Sequence, residues 1–244
     1  MVDSSTTTWQ TLRSRLERAV GANLIDKVPR DHAQSDAEFR RRRIVVAVVL
    51  VIGATLLGIS LDVRPGDSTF YPLTLGVAVI WTVGGFLSGP LHLGYLPLRG
   101  SLRRPVLTGL VFGLLAGGIF LIGALIVRLV PPLHDFVENI LAHARYGSLP
   151  LIVIVTLLNG IAEEIFFRGG LFAAIGRKHP VLISTLVYAA ATLATRNPML
   201  VFAALTLGVV LALQRRASGG ILAPIITHIT WSMIMLFLLP PLFD

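Results

Sequence analysis

Seven stretches of mostly apolar residues run along the chain, separated by short polar breaks: Ile44 to Leu61, Tyr71 to Ser88, Val106 to Val130, Ser148 to Gly170, Val181 to Thr195, Pro198 to Leu213 and Ile221 to Leu239. Most approach the 17 to 25 residues, roughly, that an α-helix needs to cross a bilayer. The pattern therefore predicts an all-α, polytopic transmembrane helix bundle of about seven spans. Val181–Thr195 and Pro198–Leu213 are short and joined only by Arg196-Asn197, so they are either two spans or a re-entrant pair. The parity of the chain is the same either way. Glycines inside the stretches (Gly76, Gly84, Gly85, Gly113, Gly117, Gly118) fall where neighbouring helices are expected to approach closely.

The polar positions divide the chain into a tail, residues 1–43, and a membrane domain, residues 44–244. The tail holds nine of the 21 Lys/Arg and six of the 13 Asp/Glu and has no apolar run resembling a cleavable signal, so the first span is expected to act as the insertion signal. Trp9, Leu12, Leu16, Val20 and Leu24 recur every three or four residues with Arg13, Arg15 and Arg18 between them, which predicts an amphipathic helix lying on the membrane surface. Arg40 to Arg43 then abut the first span, where anionic lipids attract each basic residue by about 1 kcal/mol. Membrane lipids are thus the expected partners of the tail, and nucleic acid is not. With the N-terminus inside, the inner segments hold Arg99, Arg103, Arg104, Arg177, Lys178, Arg215 and Arg216, against Arg64, Arg145 and Arg196 in the outer loops. The imbalance predicts an integral protein of the plasma membrane with its N-terminus in the cytoplasm and its C-terminus outside. Arg128 is expected to snorkel outward or to pair with Asp135 or Glu138.

Composition sharpens this picture. Hydrophobic residues make up 54% of the chain and charged ones 14%, against about 25% in an ordinary soluble domain. The mean hydropathy of +0.78 excludes a soluble globular enzyme. The absence of cysteine excludes disulfides, thiolate metal sites, a cysteine nucleophile and acylation or prenylation of the chain itself, so any lipid chemistry would concern a substrate.

Ionisable groups inside a span cost about 2.5 to 3.5 kcal/mol each on insertion, so each is a functional candidate. Depth and strong polarity combine at Glu163 with Glu164, at Arg168 and at His228. On a helix Glu164 shares a face with Arg168, four residues on, and can pair with it, whereas Glu163 stands about 100° round, stacked over Asn159. Glu163 has no cation in its own helix and must find a partner elsewhere or hold a proton, the condition that general-base chemistry requires. Glu163 lies seven residues from Gly170 and His228 seven from Ile221, the inner ends of their spans. At 1.5 Å per residue both side chains sit about 10 Å deep, at one level on the cytoplasmic side. A polar cluster that merely joins helices is the plain alternative.

The run Glu163-Glu164-Ile165-Phe166-Phe167-Arg168-Gly169 resembles the EExxxR first motif of the CPBP family, the CAAX-protease and bacteriocin-processing (Abi) membrane proteins. Its best-understood members are intramembrane glutamate-dependent endopeptidases. The resemblance continues through Ser184 to Thr192, where the family has FxxxH, and through His228-Ile229-Thr230-Trp231-Ser232, where it has HxxxN or similar, and so covers residues 148–240. It implies that Glu163 activates the attacking water, that Glu164 with Arg168 orders the helix, and that His228 orients the water or stabilises the oxyanion. Two positions depart from the pattern: Thr192 stands at the second-motif His and Ser232 at the terminal Asn or Asp. Thr192 can donate a hydrogen bond but cannot carry positive charge near neutral pH.

Two functions follow from different classes. One is a membrane endopeptidase that cleaves a membrane-associated or lipidated peptide reached from the cytoplasmic side. The other is a catalytically inactive member that serves as a membrane scaffold, its polar cavity binding a lipid or a partner membrane protein. A pore or transporter has no ring of charges or paired broken helices to support it. Neither HExxH nor GxSxG occurs, nothing local activates Ser184 against His228, and two adjacent carboxylates with one imidazole make only a thin hard-cation site. No cofactor and no metal are expected.

Overall fold

A computed structural model describes residues 13, 14, 17, 20–28, 32–98 and 101–243. The helices are α1 (Asp36–Leu61), α2 (Phe70–Ser88), α3 (Val106–Val127), α4 (Pro131–Tyr146), α5 (Leu149–Ile175), α6 (Pro180–Thr192, prolonged by the 3-10 turn Leu193–Thr195), α7 (Pro198–Ser218) and α8 (Leu222–Leu238). Strands β1 (Leu96–Leu98) and β2 (Ser101–Arg103) form an antiparallel hairpin between α2 and α3. The molecule is a helical bundle, and each of the seven apolar stretches lies in a helix. Among the described residues five helices, α1, α2, α3, α5 and α7, are long and apolar enough to cross a membrane, while α6 and α8 are shorter apolar helices.

Local signals set the helix ends. Ser35 caps α1 reciprocally with Glu38: the Glu38 N–H donates to Ser35 Oγ (3.3 Å) and the Ser35 N–H to Glu38 Oε2 (2.9 Å). Proline opens α4, α6 and α7, and Asn197 Oδ1 accepts the Met199 N–H (3.0 Å) at the start of α7. Gly219, at φ 71, stops α7 in the left-handed conformation that glycine adopts without strain.

α8 packs along α3, α1 along α2, α6 along α7, and α5 lies between α2 and α8. The contact of α3 with α8 is a glycine seam, because a Cβ at Gly109, Gly113 or Gly117 would strike Ile226, Thr230 or Ile234. Gly118 faces open space instead. The core gathers Val77, Ala78 and Trp81 of α2 with Ala162, Phe166, Phe167 and Leu171 of α5, and with Tyr188 and Ala204. Trp81 is fully buried, its ring centroid 4.5 Å from that of Phe166. Aliphatic side chains such as those of Val51, Leu114, Ile122 and Leu186 point outward, as on helices bathed in lipid.

Several features differ from the sequence expectations. α4 lies within what reads as a loop; it is a short amphipathic helix whose Val137 and Leu141 are buried. Glu138 pairs there with Arg145 (2.6 Å) and not with Arg128, which takes the outward course, exposed and donating to the carbonyl of Leu242 (3.4 Å). The basic run Arg40 to Arg43 is helical, since α1 begins at Asp36. Arg40 and Arg41 are exposed, but Arg42 is buried and donates to the Pro90 carbonyl (3.2 Å), and Arg43 donates to that of Ala174 (3.0 Å). Two of the four arginines thus bind protein carbonyls. Of the expected tail helix, Trp9, Leu12, Arg15, Leu16 and Arg18 lie outside the described residues, as does Arg99 of the hairpin. The tail's described residues Arg13, Ser14, Glu17 and Val20 are helical, and the π-wound turn Gly21–Ile25 that follows rests on α7, where Arg216 donates to the Leu24 carbonyl (3.2 Å).

Candidate active site

The polar residues of α5 occupy a widened turn. From Glu164 to Leu171 the helix is π-wound, a geometry frequent at functional sites. The Phe172 N–H reaches the carbonyls of Phe167 and Gly169, leaving the Arg168 carbonyl to accept Arg215 Nε from α7 (2.6 Å). The distorted turn is thus pinned by a buried arginine of the neighbouring helix.

Glu164 is sealed completely, and its Oε1 takes two donors: Arg168 Nη1 at 3.0 Å and His228 Nδ1 at 2.9 Å. Arg168, 1% exposed, also donates through Nη2 to the Gly208 carbonyl (3.2 Å). The expected pairing of Glu164 with Arg168 is present, and the imidazole that depth places level with Glu163 bonds the adjacent carboxylate. Gly160 lies beside this contact, where a Cβ would stand 3.4 Å from Ile229 and 3.8 Å from the His228 ring, at ordinary packing distance. With its Nδ1 toward a carboxylate, His228 has its tautomer and ring orientation set by that bond.

Glu163 is half-buried, and its Oε2 accepts the Tyr188 hydroxyl at 2.6 Å. Its interaction partners are His228, Tyr188, Glu164 and Arg168, so the five polar groups form one electrostatic unit. Tyr188 is the residue that sequence reasoning missed. The signal was its place one turn before Thr192 on the same helix face. Arg168 lies over its ring at 4.6 Å, and the absence of a side chain at Gly208 leaves room for both.

The other predicted residues are distributed as follows. Thr192 is buried and donates to the Tyr188 carbonyl (2.9 Å). Ser232 is buried one turn beyond His228. Asn159 gives its amide to the carbonyls of Val155 (2.8 Å) and Thr74 (3.1 Å), tying α5 to α2 rather than meeting Glu163. Ser184 is buried and donates to Val181 in its own helix (3.3 Å), so its hydroxyl is turned away from His228. Behind the cluster, Gln214 Oε1 accepts Thr227 Oγ1 (3.0 Å), tying α7 to α8. One cavity opens between His32, His92, Tyr95, Arg104 and Gly219, and another at the opposite end between Arg64, His143 and Arg196. Neither is lined by Glu163 or His228. Among the described residues no group of three or more His, Cys, Asp and Glu is arranged to hold a metal ion.

Residues 145–234 match the family model described as Rce1-like, type II CAAX prenyl endopeptidase, which places the CAAX-protease resemblance on this segment. No curated protein and no solved structure matches the chain. The matched segment runs from the end of α4 into α8 and contains every residue of the cluster. Together with five helices able to cross a bilayer, the match makes this an integral membrane protein, and at the level of the family it supports a membrane endopeptidase.

Proposed function

We propose that the chain is an intramembrane endopeptidase in which Glu163 takes a proton from the attacking water and His228 assists, acting on a membrane-associated peptide that arrives from the cytoplasmic side. The observation that carries this reading is the division of labour between adjacent carboxylates. Glu164 is sealed between Arg168 and His228, whereas Glu163 beside it is only partly buried, with one oxygen held by Tyr188. A carboxylate that must move protons needs water; one that orients a neighbour does not. Glu164 holds the His228 ring by Nδ1, as an acid does in a catalytic triad, and Nε2 is then the nitrogen that turns to substrate.

In the reaction the water oxygen bonds the scissile carbonyl carbon while its proton passes to Glu163. The tetrahedral intermediate collapses with breakage of the C–N bond, and the proton on Glu163 goes to the departing amine. A prenylated peptide ending in a CAAX-type sequence is the natural first probe, given the description of the matched family. The second reading, an inactive scaffold that binds lipid or a membrane-protein partner, is favoured by Thr192, whose hydroxyl is committed to a backbone carbonyl.

Turnover of an internally quenched, farnesylated peptide by the full chain in vesicles separates the two. E163Q is expected to lower kcat by about 10²–10⁴-fold, the range of general-base catalysis, with folding unchanged. Equal rates for wild type and E163Q across a broad peptide set would establish the scaffold. T192H should raise turnover in a weakened protease and leave a binding protein unaffected.

A further inference from the structure

We propose that the phenol of Tyr188 is the hydrogen-bond donor that α6 supplies to the reaction, holding Glu163 in the resting site and turning to the oxyanion as the intermediate forms. This rests on the reading of Glu163 as the base. In the FxxxH pattern a phenylalanine and a histidine stand one turn apart on a single face. Here both have changed, to Tyr188 and Thr192.

The two substitutions complement each other. The Thr192 hydroxyl gives its proton to the Tyr188 carbonyl at 2.9 Å, so position 192 offers nothing to a substrate. The Tyr188 hydroxyl does: at 2.6 Å from Glu163 Oε2 it has the length of a charge-assisted O–H···O bond. Packing does not ask for that oxygen, because the ring alone already fills its place beside Phe167, centroids 4.6 Å apart, and under the Arg168 guanidinium. The buried ring, packed between Phe167 and Arg168 with Gly208 alongside, holds the phenol in a fitted slot rather than free to wander. Preorganisation of this kind is what makes an oxyanion donor effective.

The proton balance is simple. While Glu163 is a carboxylate, it accepts the Tyr188 proton as a hydrogen bond. When water attacks, Glu163 takes the water proton and its need for a donor falls, just as negative charge develops on the former carbonyl oxygen. The phenol O–H then bonds that oxygen. On collapse the C=O bond re-forms, the C–N bond breaks, the amine takes the proton from Glu163, and Tyr188 returns to the carboxylate with its own proton never transferred.

The test compares wild type, Y188F, Y188F/T192H and E163Q as full chains in vesicles, with the farnesylated quenched peptide as probe. Y188F should lower kcat about 10²–10³-fold, the loss seen when one oxyanion donor is removed, at a KM within about twofold of wild type. Y188F/T192H, which restores the phenylalanine and histidine pair, should regain at least about tenfold of that loss. If E163Q is inactive while Y188F turns over normally, or if Y188F changes KM alone, the role of Tyr188 falls and the base stands. If wild type and E163Q behave alike, both readings fall. Should Y188F fail to fold, a ring-fluorinated tyrosine at 188 keeps the packing and makes the hydroxyl more acidic; a pH profile of kcat identical to wild type would then overturn the proposal.

Discussion

In α1 and α5 an apolar helix carries its charges toward one end, Glu38 to Arg43 in the first and Glu163 to Arg168 in the second, and the two ends lie side by side, joined by Arg43 to the Ala174 carbonyl (3.0 Å). α1 lets most of its charge out: Glu38 is used by the Ser35 cap, and Arg40 and Arg41 are exposed. Arg42 is as deeply buried as Arg168, each at 1% exposure, yet among the described residues it has no ion-pair partner and donates to one backbone carbonyl. In α5 the charges close on one another, and Arg168, Glu164 and His228 form a chain with no outlet. A buried cation facing a carbonyl can be removed without stranding an opposite charge. A buried cation facing a carboxylate cannot.

The sharpest way to break this contrast is to delete each arginine in turn. R168M strips Glu164 of its cation and leaves a sealed carboxylate with only His228. Thermal or denaturant unfolding in detergent should show a loss of about 3 to 5 kcal/mol, the cost of breaking a buried pair on one side. A loss below about 1 kcal/mol would mean that the cluster does not hold α5 to α8. R42M should cost less, about 0.5 to 1.5 kcal/mol, since a single hydrogen bond to Pro90 is forfeited. Equal losses for the two variants would erase the distinction drawn here.

The smallest effect belongs to a carboxylate that never leaves water. Asp67 accepts the Thr69 N–H (2.8 Å) and its hydroxyl (2.9 Å) just ahead of α2, and these bonds hold its carboxyl below the usual carboxylate range. A pKa depressed in the folded state contributes stability above the unfolded value, about 3.9, and loses it as pH falls through the folded one. Wild type should therefore be slightly more stable than D67A near neutrality, and the two unfolding curves should converge in acid below about pH 4. Curves that stay parallel down through that range would show that the carboxylate charge plays no part.

How much of this was legible varies from residue to residue. Glu164 and Arg168 could be paired from spacing alone, because four residues is one turn and both side chains belong to one helix. The seven apolar stretches are likewise helical for reasons internal to each. The partner of Glu163 was not legible. Tyr188 and His228 approach α5 on different helices, and which carboxylate each would take depends on a π-wound turn and on the close packing of Arg168 and Tyr188 against Gly208. The helix α4 escaped notice because its apolar face is short, with Val137 and Leu141 buried between polar residues.

The amino-acid order alone determined a membrane bundle, adjacent glutamates of which one pairs with an arginine, and an imidazole at matching depth. Bilayer thickness and helical periodicity act on each segment separately, so these features follow without knowing its neighbours. Only the tertiary structure decided that the imidazole takes Glu164 and that a phenol takes Glu163. Hydrogen bonds between helices depend on offsets of a few ångströms in how the helices pack. Those offsets are set by glycine clearances, one widened turn and the buried arginine that pins it.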